Sequence, residues 1–274
     1  MSKLSEKYLK PANRIVGIHN YCDAWCQRCA FTARCAVFEM GEESDRDPKA
    51  RDPKNKEFWE QMGGYMADAM EMLRERCIEM GIDPDQPPSL EEEAEEERNR
   101  AKVGANQLVR MAGDYMMSVK RWLDAAEPVL KAKEDELNLR ARLELPGAPS
   151  PRPEAAEIQE LLEVIQWYFT LIPAKVGRAV AGAVRGVPEC IADEPRDSDG
   201  SAKVALISIE RSMAAWTRLR AHLPEQRDAL LDMLVALDRL RRGVERDFPE
   251  ARAFVRPGFD EAAPRELEGG PAPA

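Results

Sequence analysis

The sequence predicts an all-α fold: an antiparallel helical bundle with one long helix, kinked at a proline, preceded by a small irregular cysteine-rich head. Three observations carry this. Apolar residues recur every three or four positions over most of the chain, which is the signature of helices with one buried face. Only Arg14 to Ile18 has the character of a brief extended segment. Four of the six cysteines fall between Cys22 and Cys35, ahead of the helical pattern. With 274 residues the chain is long enough for a sizeable core. Its organisation reads as a head over residues 1–40, a connector over 41–52, the bundle over 53–248 and a disordered tail over 249–274.

The connector, Gly41 to Arg51, is polar and turn-prone. Asp52-Pro53 then resembles a helix start, with Asp as N-cap and Pro in the first turn. A helix from Lys54 to Met80 follows, ending at Gly81, with Phe58, Met62, Met66, Ala69, Met70, Leu73 and Cys77 on a face expected to be buried. Pro84, Pro87 and Pro88 interrupt the chain. Ser89 with Glu92 three residues later has the pattern of a capping box. Helical spacing then runs on to Leu143, a span of about 80 Å if unbroken. Its one internal breaker is Pro128, which leaves the Asp124 carbonyl without a donor and should kink or break the helix. The opening EEEAEEERNR has almost no apolar face and should project into solvent; packing begins at Leu108, Met111, Tyr115, Val119 and Trp122.

After a Pro-rich loop, a further helix spans Glu154 to Val184, bent at Pro173. The next spans Ser201 to Ala221, capped by Asp197, Ser198 or Asp199. Leu223-Pro224 leaves room only for a short turn, so the last helix, Glu225 to Asp247, should fold back antiparallel. Beyond Pro249 apolar residues thin out, as in a disordered tail.

The chemistry concentrates in His19-Asn20-Tyr21-Cys22-Asp23-Ala24-Trp25-Cys26-Gln27-Arg28-Cys29, followed by Cys35. The spacing is C-x3-C-x2-C-x5-C. Thiolates this close repel one another unless a cation sits among them, so the pattern points to a metal centre ligated by Cys22, Cys26, Cys29 and Cys35. Short gaps of two and three residues favour an iron–sulfur cluster, with 4Fe–4S the preferred form. Zinc is the alternative, although four-cysteine zinc sites usually pair two C-x2-C knuckles across a longer loop. Buried thiols without metal are the plainest reading, and leave the clustering unexplained. Cys22-x3-Cys26-x2-Cys29 resembles the three-cysteine motif of the radical S-adenosylmethionine enzymes over eight residues. Arg28 stands where that family carries an aromatic residue, and the strands of its α/β barrel have no counterpart here. His19 is a possible further ligand or a border residue bonded to backbone. Arg28 and Arg34 could favour an anionic centre or be solvated, while Trp25 and Phe31 should pack the head onto the helices.

No second site stands out. A di-iron bundle needs Glu-x-x-His on two helices, whereas Val16 precedes His19 and Leu219 precedes His222 at that spacing. Glu163 and Glu210 lie beside apolar stripes and could pair with Arg178 or Arg211. His222 suits a helix C-terminus. Asp193, Glu194, Asp197 and Asp199 do not match a calcium loop. Cys77 reads as core and Cys190 as the more exposed thiol. Neither a phosphate loop nor a nucleophile elbow is present. The formal net charge of −10 disfavours nucleic acid. The most apolar window, Val164 to Val184, carries Gln166, Lys175 and Arg178 and should not span a membrane. The expectation is therefore a cytoplasmic, non-enzymatic protein whose metal cluster serves redox sensing or binding of a still unknown protein partner. A zinc-stabilised adaptor or an electron-transfer component of a redox enzyme are the alternatives.

Overall fold

The computed structural model describes residues 13–45, 48–81, 83–143, 149–186 and 196–260. These residues form seven α-helices and no strand: α1 (Ala36–Asp45), α2 (Lys56–Glu79), α3 (Leu90–Ala105), α4 (Gln107–Leu143), α5 (Arg152–Arg185), α6 (Asp197–His222) and α7 (Arg227–Asp247). Arg14 to Ile18 is loop and turn instead of an extended segment. Among the described residues no helix is long and apolar enough to cross a membrane. Cys190, Asp193 and Glu194 lie outside the described residues. The chain divides into two compact units, one of residues up to Ser89 together with those from Val255 on, the other Leu90–Phe254.

The second unit is a helical bundle built on repeats of three and four. Leu108, Ala112, Tyr115, Val119, Trp122 and Ala126 are buried along α4. Ile158, Leu161, Ile165, Tyr168, Ile172 and Val176 are buried along α5, and Leu230, Met233, Leu237, Leu240 and Val244 along α7. Such stripes pack only against other stripes. Helix α6 touches both α5 and α7, while α4 also touches both. Helix α6 is accordingly buried on several sides, and its small residues Ala202, Ala205, Ser208 and Ser212 allow close approach. At the centre, the Trp216 indole N–H donates to the Tyr115 hydroxyl at 3.0 Å. The ring of Trp122 meets Trp216 edge to face at 4.9 Å. Burial pushes the Tyr115 phenol up to about 12, so it stays protonated at any physiological pH.

Several boundaries differ from the sequence reading. The long helix breaks at Asn106, not at Pro128. The Asn106 side-chain oxygen accepts the Leu108 N–H at 2.8 Å and so caps α4. Pro128 sits inside α4; it and Asp124 are exposed, so the carbonyl freed by the proline faces water. The acidic start of α3 is tied down as well as solvated. Arg185 of α5 forks onto Glu96 at 2.6 and 3.2 Å, and with Arg100 this holds the Glu96 carboxyl down at about 2. Helix α6 starts four residues earlier than expected, with Asp197 and Asp199 inside its first turn. Asp197 takes a forked bond from Arg178. Glu163 accepts from Gln159 and Glu210 pairs with Arg252, while Arg211 donates to Tyr168.

In the first unit, α2 ends at Glu79 with Gly81 just past it at φ +74°, but its predicted face is not buried: Met62, Met66, Met70 and Leu73 are all exposed, as is Trp59. Cys77 is half-buried. The helix groups with the head and not with the bundle. Residues 249–260, placed in a tail by composition, instead form turns, and Ala251 is fully buried.

Two consequences can be measured. A Cβ on Gly243 of α7 would lie 2.5 Å from Leu108 Cδ2 of α4, so Gly243→Ala should lower stability by about 1–3 kcal/mol in denaturant unfolding. Glu154 of α5 binds Lys133 and Arg140 of α4 at 2.8 Å each, and these cations hold its carboxyl down at about 2, against 4.5 in a free chain. The network's stabilisation is present above pH 4.5 and is lost as pH falls through about 2. Glu154→Gln should therefore cost about 1 kcal/mol at neutral pH, solvent screening included, and flatten the acid limb of a stability–pH profile.

Candidate metal centre

The head has too few apolar residues to hold a shape by burial, so local turns set its path. Three short 3₁₀ turns follow one another, Ile18–Tyr21, Cys26–Arg28 and Thr32–Arg34, and each is followed at once by a cysteine in extended conformation: Cys22, Cys29 and Cys35. Between the first two turns Ala24 takes φ +57°, the left-handed region that a side chain rarely enters. Just before that kink the Ala24 N–H donates to Cys22 Sγ at 3.4 Å. The Phe31 N–H donates to Cys29 Sγ at the same distance. The Ile15 N–H donates to the Arg34 carbonyl at 3.2 Å and Arg34 Nε to the Asn13 carbonyl at 2.8 Å, closing the loop on itself.

The outcome is one pocket of about 30 Å³ whose wall includes all four cysteines, Cys22, Cys26, Cys29 and Cys35. His19, Asp23, Thr32 and Trp25 complete its polar and aromatic rim; Ile18, Phe38 and Phe259 supply its apolar side. All four cysteines are half-buried and none is in a disulfide. Burial pushes the Cys26 thiol up, and the charges of Cys22, Cys35, Cys29 and Asp23 push it the same way. The sulfurs share a pocket without converging into a finished shell: among the described residues, no group of three or more His, Cys, Asp or Glu is arranged to hold a metal ion.

The neighbours differ from expectation in detail. Arg28 lies 4.0 Å from the Trp25 ring centre, a cation–π contact that occupies the tryptophan face. Arg34 is committed to the Asn13 carbonyl. The His19 carbonyl accepts the Cys22 thiol at 3.4 Å, and His19 is among the residues lining the pocket. Phe31 packs edge to face on Phe259 at 5.1 Å. Sequence reasoning missed Phe259 altogether, because a residue so far along the chain carries no local mark of contact with the head. In the second unit His222, in the last turn of α6, sits 3.7 Å from Glu154 and 3.5 Å from Glu157.

Backbone N–H donors are thus aimed at two of the four thiols, Cys22 and Cys29. Comparison of the chain with protein-family models, curated proteins and solved structures finds no match in any of the three.

Proposed function

We propose that the chain binds an iron–sulfur cluster through Cys22, Cys26, Cys29 and Cys35, in a non-enzymatic role where the cluster's state governs binding of a protein partner. The observation that carries this reading is the pocket shared by the four thiols. Two further features support it. Backbone N–H groups donate to Cys22 and Cys29, and such bonds favour the thiolate and tune a cluster's potential. The upward push on Cys26 comes from burial and like charge, and a cation among the sulfurs reverses the second of these. A reducing cytoplasm suits the reading, since it keeps such thiols free.

The helical bundle is the natural body for partner binding in this view, with α6 and α7 read as an antiparallel pair because only a short turn, Pro224–Gln226, links them. The acidic first turn of α3, with Glu91, Glu92 and Glu93, matches a basic surface on the partner. A single zinc ion in a structural role is the second reading, favoured by the small free volume of the pocket, about 30 Å³.

The experiment is anaerobic purification of the full chain followed by a visible spectrum, with iron, acid-labile sulfide and zinc measured on one sample. Broad visible absorption with matching iron and sulfide is expected. A colourless protein with one zinc per chain moves the function to a scaffold. Each of Cys22→Ala, Cys26→Ala, Cys29→Ala and Cys35→Ala should lower metal content while the far-ultraviolet circular dichroism of the bundle stays near that of the parent. Unchanged metal in all four variants would sink both readings.

A further inference from the structure

The pocket's one distant wall is the segment that returns from the bundle. Residues 255–260 follow the turns that end the second unit, yet they pack within the first. Phe254, just before them, is anchored by its carbonyl to the Lys203 ammonium of α6. Gly258 adopts φ +75°, and a Cβ there would stand 2.7 Å from Ile15 Cδ1 and 3.2 Å from Ile18 Cδ1. Both the dihedral and the approach therefore demand glycine. Ile18, which it covers, is a buried residue of the head.

Phe259 then sets its ring against Phe31 and lines the pocket beside the four sulfurs. Its back is held by Arg256, whose guanidinium carbon lies 4.9 Å from the ring centre. The same guanidinium forks onto Asp260 at 2.9 and 3.0 Å, and the Arg256 N–H donates to that carboxylate too. The Arg256 and Asp260 side chains are only 15% and 22% exposed. A glycine that only this approach requires, a fitted aromatic ring and a forked pair behind it make a built contact in place of a passing one.

We propose that Val255–Asp260 is a lid on the cysteine pocket, with Phe259 as the group that closes it, and that its opening sets how fast solutes reach the four sulfurs. For a covered group the observed rate is the intrinsic rate multiplied by the fraction of time the cover is open. Removing the Phe259 ring raises that fraction and leaves the cysteines in place. That the shielded object is a cluster rests on the function proposed above; that the thiols are shielded does not.

The test therefore has two arms on the full chain. In metal-free protein, alkylation of each cysteine by iodoacetamide is followed by peptide mass spectrometry. Phe259→Ala should speed reaction at Cys22, Cys26, Cys29 and Cys35 by about tenfold and leave Cys77, which lies on α2 away from this pocket, at the parent rate. Phe259→Leu, which keeps an apolar cover, should restore slow reaction. In anaerobically purified protein, bleaching of the visible absorption by an iron chelator should accelerate in the same order. Parent-like rates at the four cysteines in Phe259→Ala overturn the lid, and so does an equal rise at Cys77, which marks general loosening. A colourless parent overturns the cluster, and the alkylation arm still decides the lid.

Discussion

Four ionisable thiols on one short loop repel each other as they charge, and the first unit is organised by that constraint. A loop of this length has no room for a core of its own. Ordinary burial would hold the sulfurs in place only by raising their pKa, as it does at Cys26, and a thiol held protonated is a poor ligand. The head resolves the conflict with backbone geometry. Three tight turns deliver three cysteines in extended conformation, and the Ala24 N–H donates to Cys22. Donors of this kind stabilise negative sulfur without adding a charged side chain. Apolar cover is then supplied from one side only, by Ile18, Phe38 and Phe259.

The second unit faces no such conflict. Its stability comes from stripes that bury one another, with α6 packed against α5 and α7 and the Trp216 indole bonded to the Tyr115 hydroxyl at the centre. That hydrogen bond satisfies the buried Trp216 donor, and Ser212 lies within reach of the same Tyr115 hydroxyl. The charged residues are placed to fix the order of helices: Arg185 fastens α5 to α3 through Glu96, and Lys133 with Arg140 fastens α4 to α5 through Glu154. Each pair is partly exposed and contributes little by itself. Their value is in registering helices whose apolar stripes alone would tolerate sliding.

What could be read from the sequence follows the range of the interactions involved. The stripe on α4 is a local repeat, and Leu108, Tyr115, Val119 and Trp122 on it are buried as expected. The capping role of Asn106 was equally local, since an Asn two residues before Leu108 has the N-cap pattern, but the proline further along drew the expected break to itself. Periodicity did worse on α2. It finds the apolar side of Met62, Met66 and Met70 but carries no statement about what, if anything, covers that side, and these residues are exposed. The cysteine set was legible because its spacing is dense; the placing of all four in one pocket needed the turns. Phe259 and Gly258 were invisible, because low apolar content after Pro249 argues for a tail whenever long-range contacts are left out.

The small pocket and the dense ligand set are reconciled by the kind of motion each requires. About 30 Å³ holds a water-sized group, and a cluster is larger. Enlarging the space does not require the turns to unfold. A cysteine has one side-chain torsion, and moving between staggered wells swings its sulfur while the backbone stays put. Three of the four cysteines stand in extended backbone just after a turn, where neighbouring helical turns do not restrict that torsion. The wall that must yield is the apolar one, and there the contact is Phe259, next to the tightly packed Gly258. In the proposed lid, the ring that excludes solutes from the sulfurs is thus also the part of the wall that has to move when something is to be taken in.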